Sequence, residues 1–430
     1  MRRRIFGAPA TAVVLGLLVS LTGCGDDSGD AADGEGTLHL VAAEYGDNPA
    51  TSSKAFWDKV TADFTAAHPG IKVDVKLLPW ADIDREVSRM VKAGKAPDMA
   101  LMGSYSDFAA QGKLYSADEL LSVTAEANFL QPLAEAGSVG TTLYGLPFVA
   151  SSRLLFYNQA LFDRAGIRNP PKTWADLKAD AQALKSKGVK FPYAMPLGPE
   201  EAHAEALIWE LSNGGGYADS SGNYSLASEQ NIKTWSWVKS DLVGAGLTGP
   251  VPPSQLNRAD AFDAFLAGDV GMLNGYPSLL HEARAKGIKV ETVEMPVSDN
   301  LGSGETPPTV GVADWMMAFK QNGNRKGIGQ FLDFVYQDKN LSEFANRYHL
   351  LPSTTSASRA VGGNGGMDKN DTQFLTALRG AQLYPVNDPT WVTVSDTIKR
   401  NIGRAVEPDG NPKAVLEEIA AKASEAAKKH

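Results

Sequence analysis

Residues 143–177 read LYGLPFVASSRLLFYNQALFDRAGIRNPPKTWADL and hold four pieces of local structure. Leu143 to Pro147 is a short extended segment, ended by a proline that removes a backbone donor and resists helix. Ser152 to Tyr157 opens polar and then runs apolar, the pattern of a strand buried on at least one face. Asn158 is placed to cap a short helix with Leu161 and Phe162 on its apolar side, ending at Ala165-Gly166. Asn169-Pro170-Pro171 is a stiff extended turn. Thr173 then caps a new helix with Trp174 and Asp176 in its first turn.

Upstream, Thr37 to Val41 reads as a first strand. Phe56, Trp57, Val60 and Phe64 follow at helical spacing behind Ser52 and Ser53, and stop at His68-Pro69-Gly70. Ile71 to Val75 alternates as a second strand. That order predicts a βαβ unit with a parallel pair. Trp80 to Ile83 opens another helix carrying Val87, Met90 and Val91, and Met99 to Met102 is a short buried strand. Gly103 to Asp107 follow at its carboxyl end, where open α/β sheets bind ligands. Downstream, helices are expected over 174–187, 200–212, 228–243, 258–267 and 328–336, at Thr390-Trp391, and from Pro412 onward. Strands are expected over 290–296 and 311–319, and Gly362 to Gly366 reads as a loop.

A chain of 430 residues with 43% hydrophobic content is long enough for two lobes with separate cores. The formal net charge of −9 argues against a nucleic-acid partner, which would require a basic face. Cys24 is the single cysteine, so neither an intramolecular disulfide nor a cysteine-rich metal site can form. Arg2 to Arg4 followed by the apolar run Ile5 to Ser20 is a secretory signal. Gly25 to Gly36 is small and acidic, a composition that buries nothing and predicts a disordered tether. No later segment approaches the length of a membrane span. The P-loop pattern and the GxSxG elbow are missing. His281-Glu282-Ala283-Arg284-Ala285 lacks the second histidine of HExxH. His39, His203 and His349 have no ligand spacing and read as structural.

The order Y-G-x-P, a strand ending Tyr-Asn, a helix ending Ala-Gly and then P-P-x-T-W-x-x-L resembles the extracellular solute-binding proteins (family 1) of bacterial sugar ABC transporters. His68 to Val73 (H-P-G-I-K-V) and Gly94 to Asp98 (G-x-x-P-D) extend the resemblance, as does Phe265 to Met272, in which Gly271 stands where alanine is usual. His349-Leu350-Leu351-Pro352 resembles the family's G-x-x-P end, with His349 replacing glycine. Leu21-Thr22-Gly23-Cys24 resembles a lipobox, which implies a diacylglyceryl anchor on Cys24 and cleavage before it.

The resemblance implies an α/β, two-lobed periplasmic-binding-protein-like fold with a ligand cleft between the lobes. Residues 1–23 would be the signal peptide and 24–36 the lipidated cysteine and tether. Residues 37–149 and 312–362 would form lobe 1, and 150–311 and 363–430 lobe 2. It further implies a monomer without cofactor or catalytic role. Anchored outside the membrane, it would deliver a carbohydrate, an oligosaccharide in the leading reading, to ABC permease membrane subunits. Two alternatives stay open: an exported glycoside hydrolase with paired carboxylates, and a binding protein of the same fold for a polyamine or peptide.

A sugar offers hydroxyls to polar groups and apolar ring faces to aromatic ones. Candidates are therefore aromatic and acidic residues at strand ends and helix starts. Glu44, Tyr45 and Asp47 follow the first strand. Trp80 opens a helix, and Tyr105 and Asp107 follow the Met99–Met102 strand. Tyr217 ends a glycine turn, Asn274 and Tyr276 follow Met272, and Trp391 opens a late helix. Asp314 and Trp315 interrupt an apolar crossing, where a carboxylate is costly unless paired or facing water. Each also has a plain structural reading, as solvated loop, helix staple or core.

Overall fold

The computed structural model describes residues 35–46, 48–301, 308–363 and 369–428. The strands of its two main sheets, in chain order, are β1 (Gly36–Ala43), β2 (Ile71–Leu78), β3 (Met99–Met102), β4 (Leu146–Ser152), β5 (Leu154–Asn158) and β6 (Phe191–Tyr193). They continue as β7 (Val270–Gly275), β8 (Val290–Val293), β9 (Val310–Ala318), β10 (Leu351–Pro352) and β11 (Gln382–Leu383). A seven-stranded sheet runs β10-β4-β9-β3-β1-β2, with β11 paired to β9. A four-stranded sheet runs β8-β5-β7-β6. Each sheet is the centre of one lobe.

The first lobe begins with the expected βαβ unit: β1 pairs in parallel with β2 and with β3. Leu38, Leu40 and Ala42 share a core with Phe56, Trp57, Val60 and Phe64 of the helix Lys54–Ala67. Val41 and Ala43 point the other way, into the core that contains Ile83, Val87 and Val91 of the helix Trp80–Lys92. Period-two alternation on β1 thus lets one strand hold a helix on each face.

The first passage between the lobes lies within residues 143–177. β4 and β5 are buried throughout, and only Arg153 separates them. β4 pairs with β9 and β10 in the first sheet, whereas β5 pairs with β7 and β8 in the second. The sheet partition changes at Arg153, beyond the Ala150 expected, because Ala150 to Ser152 still pair with Gly311 to Ala313. The Arg153 N–H donates to the Val310 carbonyl at 3.1 Å, and the Thr309 hydroxyl donates to the Arg153 carbonyl. The second passage is thereby tied to the first.

The local signals of that stretch act as read. The Asn158 side chain accepts from the Leu161 N–H at 3.2 Å, and Gly166 ends the helix Gln159–Ala165 with φ 74°. Thr173 and Asp176 form a reciprocal capping box on the helix Trp174–Ser186. Gly145 is required by packing: a Cβ there would lie 2.5 Å from the buried Tyr105 ring. Three details differ. The helix expected over 228–243 is α-helical over Glu229–Trp237 and π-helical over Val238–Val243. Gly362 and Gly363 end the helix Thr355–Gly363, where a loop was expected; Asn364 to Gly366 lie outside the described residues. Gly36 pairs with Ile71 and is strand, not tether.

Glu210, on the helix Ala202–Leu211, is 1% exposed. Burial pushes its carboxyl up to about 8, against one donated bond from Trp235 Nε1 at 2.9 Å. Its raised native value means the native state holds the proton that the unfolded chain releases. That stability is present below the ordinary glutamate range and is lost as pH rises toward about 8. Chemical denaturation across this interval should show the parent weakening relative to Glu210→Gln, by on the order of a few kcal/mol at the alkaline end. Parallel stability profiles for the two proteins would reject the assignment.

Candidate functional site

The lobes enclose a cavity of about 450 Å³, within the range of small-molecule sites. Its floor is the second passage, Gly311 to Trp315 of β9. One wall belongs to the first lobe. Trp80 and Asp84 come from successive turns of the helix after β2, and Gly103 and Ser104 from the end of β3. The opposite wall is the helix Trp391–Asn401, which offers Trp391, Ser395 and Lys399, with His203 and Tyr384 beside it. These three recur every four residues on one helix face and span about 12 Å along its axis.

Both tryptophans are packed from behind, Trp391 down to 5% exposure. Trp80 is 41% exposed and meets Tyr45 edge-on at 5.3 Å; Tyr45 in turn packs on Phe344 at 4.8 Å. Trp391 stacks on Tyr384 with centroids 5.3 Å apart and planes at 22°. Edge-to-face and stacked pairs of this kind fix ring orientation beyond what burial alone does.

Asp314 sits on the floor and accepts a 2.7 Å hydrogen bond from the Tyr45 hydroxyl. Burial pushes its carboxyl up to about 7; that bond and the Arg153 charge oppose the rise, and the Asp84 charge adds to it. His203 is held neutral, down to about 3, by burial and then by the Lys399 charge. Its Nδ1 has no partner among the described residues. Burial raises the Asp84 carboxyl above the usual range, and the Lys399 charge across the cavity opposes the rise. One wall thus carries a carboxylate and the other an ammonium.

A second space, of about 20 Å³, lies in the second lobe among Arg153, Glu201, Glu205, Arg258, Asn274 and Tyr276. Arg153 donates to Glu201 at 2.7 Å, and Arg258 to Glu200 at 2.5 Å and to the Tyr276 hydroxyl. The guanidinium carbons of Arg153 and Arg258 lie 4.5 and 5.3 Å from the Tyr276 ring centroid. Glu205 accepts from the Tyr193 hydroxyl, Trp209 Nε1 and Asn274 Nδ2 at 2.7, 2.9 and 3.1 Å.

The structure brings Trp80, Asp314, Trp315 and Trp391 to the main cavity, with Tyr45 hydrogen-bonded to Asp314 and packed edge-on to Trp80. The Trp315 ring is wholly buried against Tyr105 at 5.4 Å, so it meets the cavity from the core side. Asn274 and Tyr276 line the small space, where Arg153 and Arg258 occupy the Tyr276 ring. Besides Tyr45, four described candidates line neither space. Glu44 accepts bonds from Ser52, Ser53 and Gly46 and fixes the start of the helix Lys54–Ala67. Partial burial would raise that carboxyl, yet these donors hold it below the usual range. Tyr105 is 1% exposed and donates to the Ala136 carbonyl at 2.6 Å. Asp107 lies in the short helix Ser106–Ala110. Tyr217 is buried and donates to the His203 carbonyl at 2.7 Å. Asp47 and Cys24 lie outside the described residues.

The sequence reading missed Asp84, Ser395, Lys399 and Tyr384, and took His203 for a structural residue. Asp84 follows Trp80, and Ser395 follows Trp391, by one helical turn. Reading one turn beyond each tryptophan would have found them.

The chain belongs to the family described as bacterial extracellular solute-binding protein, which matches it over residues 48–341. It is 27% identical over 400 residues to a Brucella abortus protein named only as a binding protein, covering 92% of this chain and 94% of that one. It is 23% identical over 300 residues to the sn-glycerol-3-phosphate-binding periplasmic protein of Rhizobium meliloti, covering 62% and 64%. Its fold is similar to that of an ABC substrate-binding protein from Listeria monocytogenes in complex with cycloalternan. That match has a TM-score of 0.74 and 18% identity, and covers 92% of this chain and 99% of that one.

A ligand that donates hydroxyls to Asp314 favours its charged form and so lowers its titration point in the complex. Binding then releases a proton, and affinity rises with pH toward about 7, where the free carboxyl is fully ionised only above that value. Titration calorimetry in buffers of different ionisation heat should detect this proton, and Asp314→Asn should abolish the pH slope.

Proposed function

We propose that this chain captures a carbohydrate, an oligosaccharide in preference to a single sugar, outside the membrane and delivers it to the membrane subunits of an ABC permease. The observation that carries this reading is the pair of opposed walls, each headed by a tryptophan, Trp80 on one lobe and Trp391 on the other. Between them stand Asp84, Asp314, Ser395 and Lys399, which suit hydroxyls. A ligand touching both walls binds the closed arrangement better than the open one, so it draws the lobes together. Micromolar affinity requires only about −8 kcal/mol, which two stacked rings and a few charge-assisted bonds supply.

In this reading the protein works as a monomer, without a cofactor, and binds without turnover. Thermal unfolding of the mature chain against oligosaccharides, monosaccharides, glycerol 3-phosphate, spermidine and short peptides tests it, because a ligand of the native state raises the midpoint. Oligosaccharides should give the largest shift. Trp80→Ala and Trp391→Ala should each weaken binding by roughly thirtyfold, about 2 kcal/mol. A shift with spermidine or peptides alone would replace the ligand class, and release of reducing ends would replace binding by hydrolysis.

Cys24 carries the membrane attachment in this proposal, through a thioether-linked diacylglyceryl group. Detergent phase partitioning should place the parent in the detergent phase and Cys24→Ser in the aqueous phase. Equal partitioning would remove the anchor.

A further inference from the structure

Away from the main cavity, one of the contacts between the lobes is made by two imidazoles. His281 lies on the helix Pro277–Ala285 of the second lobe, and His349 closes the helix Asp338–Tyr348 of the first. Their rings are stacked, with centroids 4.0 Å apart and planes at 14°. His281 Nε2 lies 3.2 Å from Asp371 Oδ1. Asp371 belongs to the helix Lys369–Arg379, which packs on the passage between lobes: the Ser152 hydroxyl donates to the Phe374 carbonyl at 2.8 Å.

His349 has φ 51°, in the left-handed region where glycine is unstrained and a side chain is not. A strained residue persists where its surroundings hold it: the Leu350 N–H donates to the Ala345 carbonyl at 2.8 Å behind it, and its ring stacks on His281. The preceding residue, Tyr348, packs on Tyr45 at 5.6 Å, and Tyr45 packs on Trp80. The histidine stack therefore adjoins the aromatic chain that borders the cavity.

We propose that His281 and His349 form a pH-sensitive clasp between the lobes, which holds them together while the pair carries at most one proton and releases them when both imidazoles are charged. The charged groups acting on His349 are His281, across the stack, and Asp371, from the third helix. Asp371 favours one proton on the pair. A second places two cations at stacking distance, where they repel. Cover from the stack and then the His281 charge hold His349 below the ordinary imidazole range, with Asp371 opposing. A value depressed in the closed form means the contact is complete above about pH 6.5 and fails as pH falls below it. Each unit of depression shifts the open-to-closed ratio by up to about tenfold, less the screening by water on the exposed side of His349.

The clasp acts on lobe separation, so its test needs no ligand. Small-angle X-ray scattering on the mature chain carrying Cys24→Ser should show the radius of gyration increasing as pH falls from about 7.5 to about 5.5. His281→Phe keeps a ring in the stack but cannot titrate, and should stay compact at both values. His349→Gly relieves the backbone and removes the stack, and should be extended at both. Thermal unfolding at each pH verifies that the variants are folded. A parent radius unchanged across this interval, or an equal rise in the parent and His281→Phe, overturns the proposal. If His281→Phe does not fold, a pH step in His349→Gly equal to that of the parent overturns it.

Discussion

The main chain leaves the first lobe at Arg153, and the contacts of that residue tie the first passage between the lobes to the second. Its backbone is bonded to Val310 and Thr309 of the returning passage. Its guanidinium reaches Ser151 on one side and Glu201 on the other, with the Tyr276 ring below. An arginine that is 6% exposed would be strongly destabilising without those partners. Glu201 answers it: burial works against the charged carboxylate, but Arg153 and Arg258 hold it ionised, below the usual range. Removing either member leaves a buried charge at the junction of the sheets, where a change in lobe orientation begins.

The same residue reaches the ligand site at a distance. The Arg153 charge helps keep Asp314 from rising further and His203 from accepting a proton. The cavity therefore presents a carboxyl poised near neutrality and an imidazole that stays uncharged, although neither touches the guanidinium in a hydrogen bond. Burial sets the direction of both effects; the Arg153 charge tempers the first and adds to the second. The binding surface and the mechanical junction share one electrostatic network.

Much of this was legible in the sequence because it rests on local chemistry. The Asn158 cap, the Gly166 stop and the Thr173–Asp176 box need only near neighbours, and each forms as read. His349 in place of glycine before Leu350-Leu351-Pro352 was visible as a departure, and its φ of 51° gives the departure a physical meaning. What sequence did not show is which polar residues face one another across the lobes. Tyr217 and Trp391 are both aromatics beside a helix. One spends its hydroxyl on the His203 carbonyl while the other lines the cavity, and tertiary packing alone decides between them. Tyr276 stood at the expected strand end, yet two guanidiniums, one distant in sequence and one on the preceding helix, take its ring.

The helix Trp391–Asn401 carries Trp391, Ser395 and Lys399 on one face, and their separation is set by the backbone rather than by any side chain. Each residue of an α-helix turns the chain by about 100°. One amino acid inserted between Trp391 and Lys399 would leave the ring in place and swing the ammonium away from the cavity. A two-residue change of length would carry it nearly to the far side. A short insertion or deletion in this helix is thus a larger step in ligand preference than most substitutions along it. The same rotation would turn the buried Val394 and Ile398 out of the core, so the spacing of the ligand-facing residues is locked to the packing of the helix.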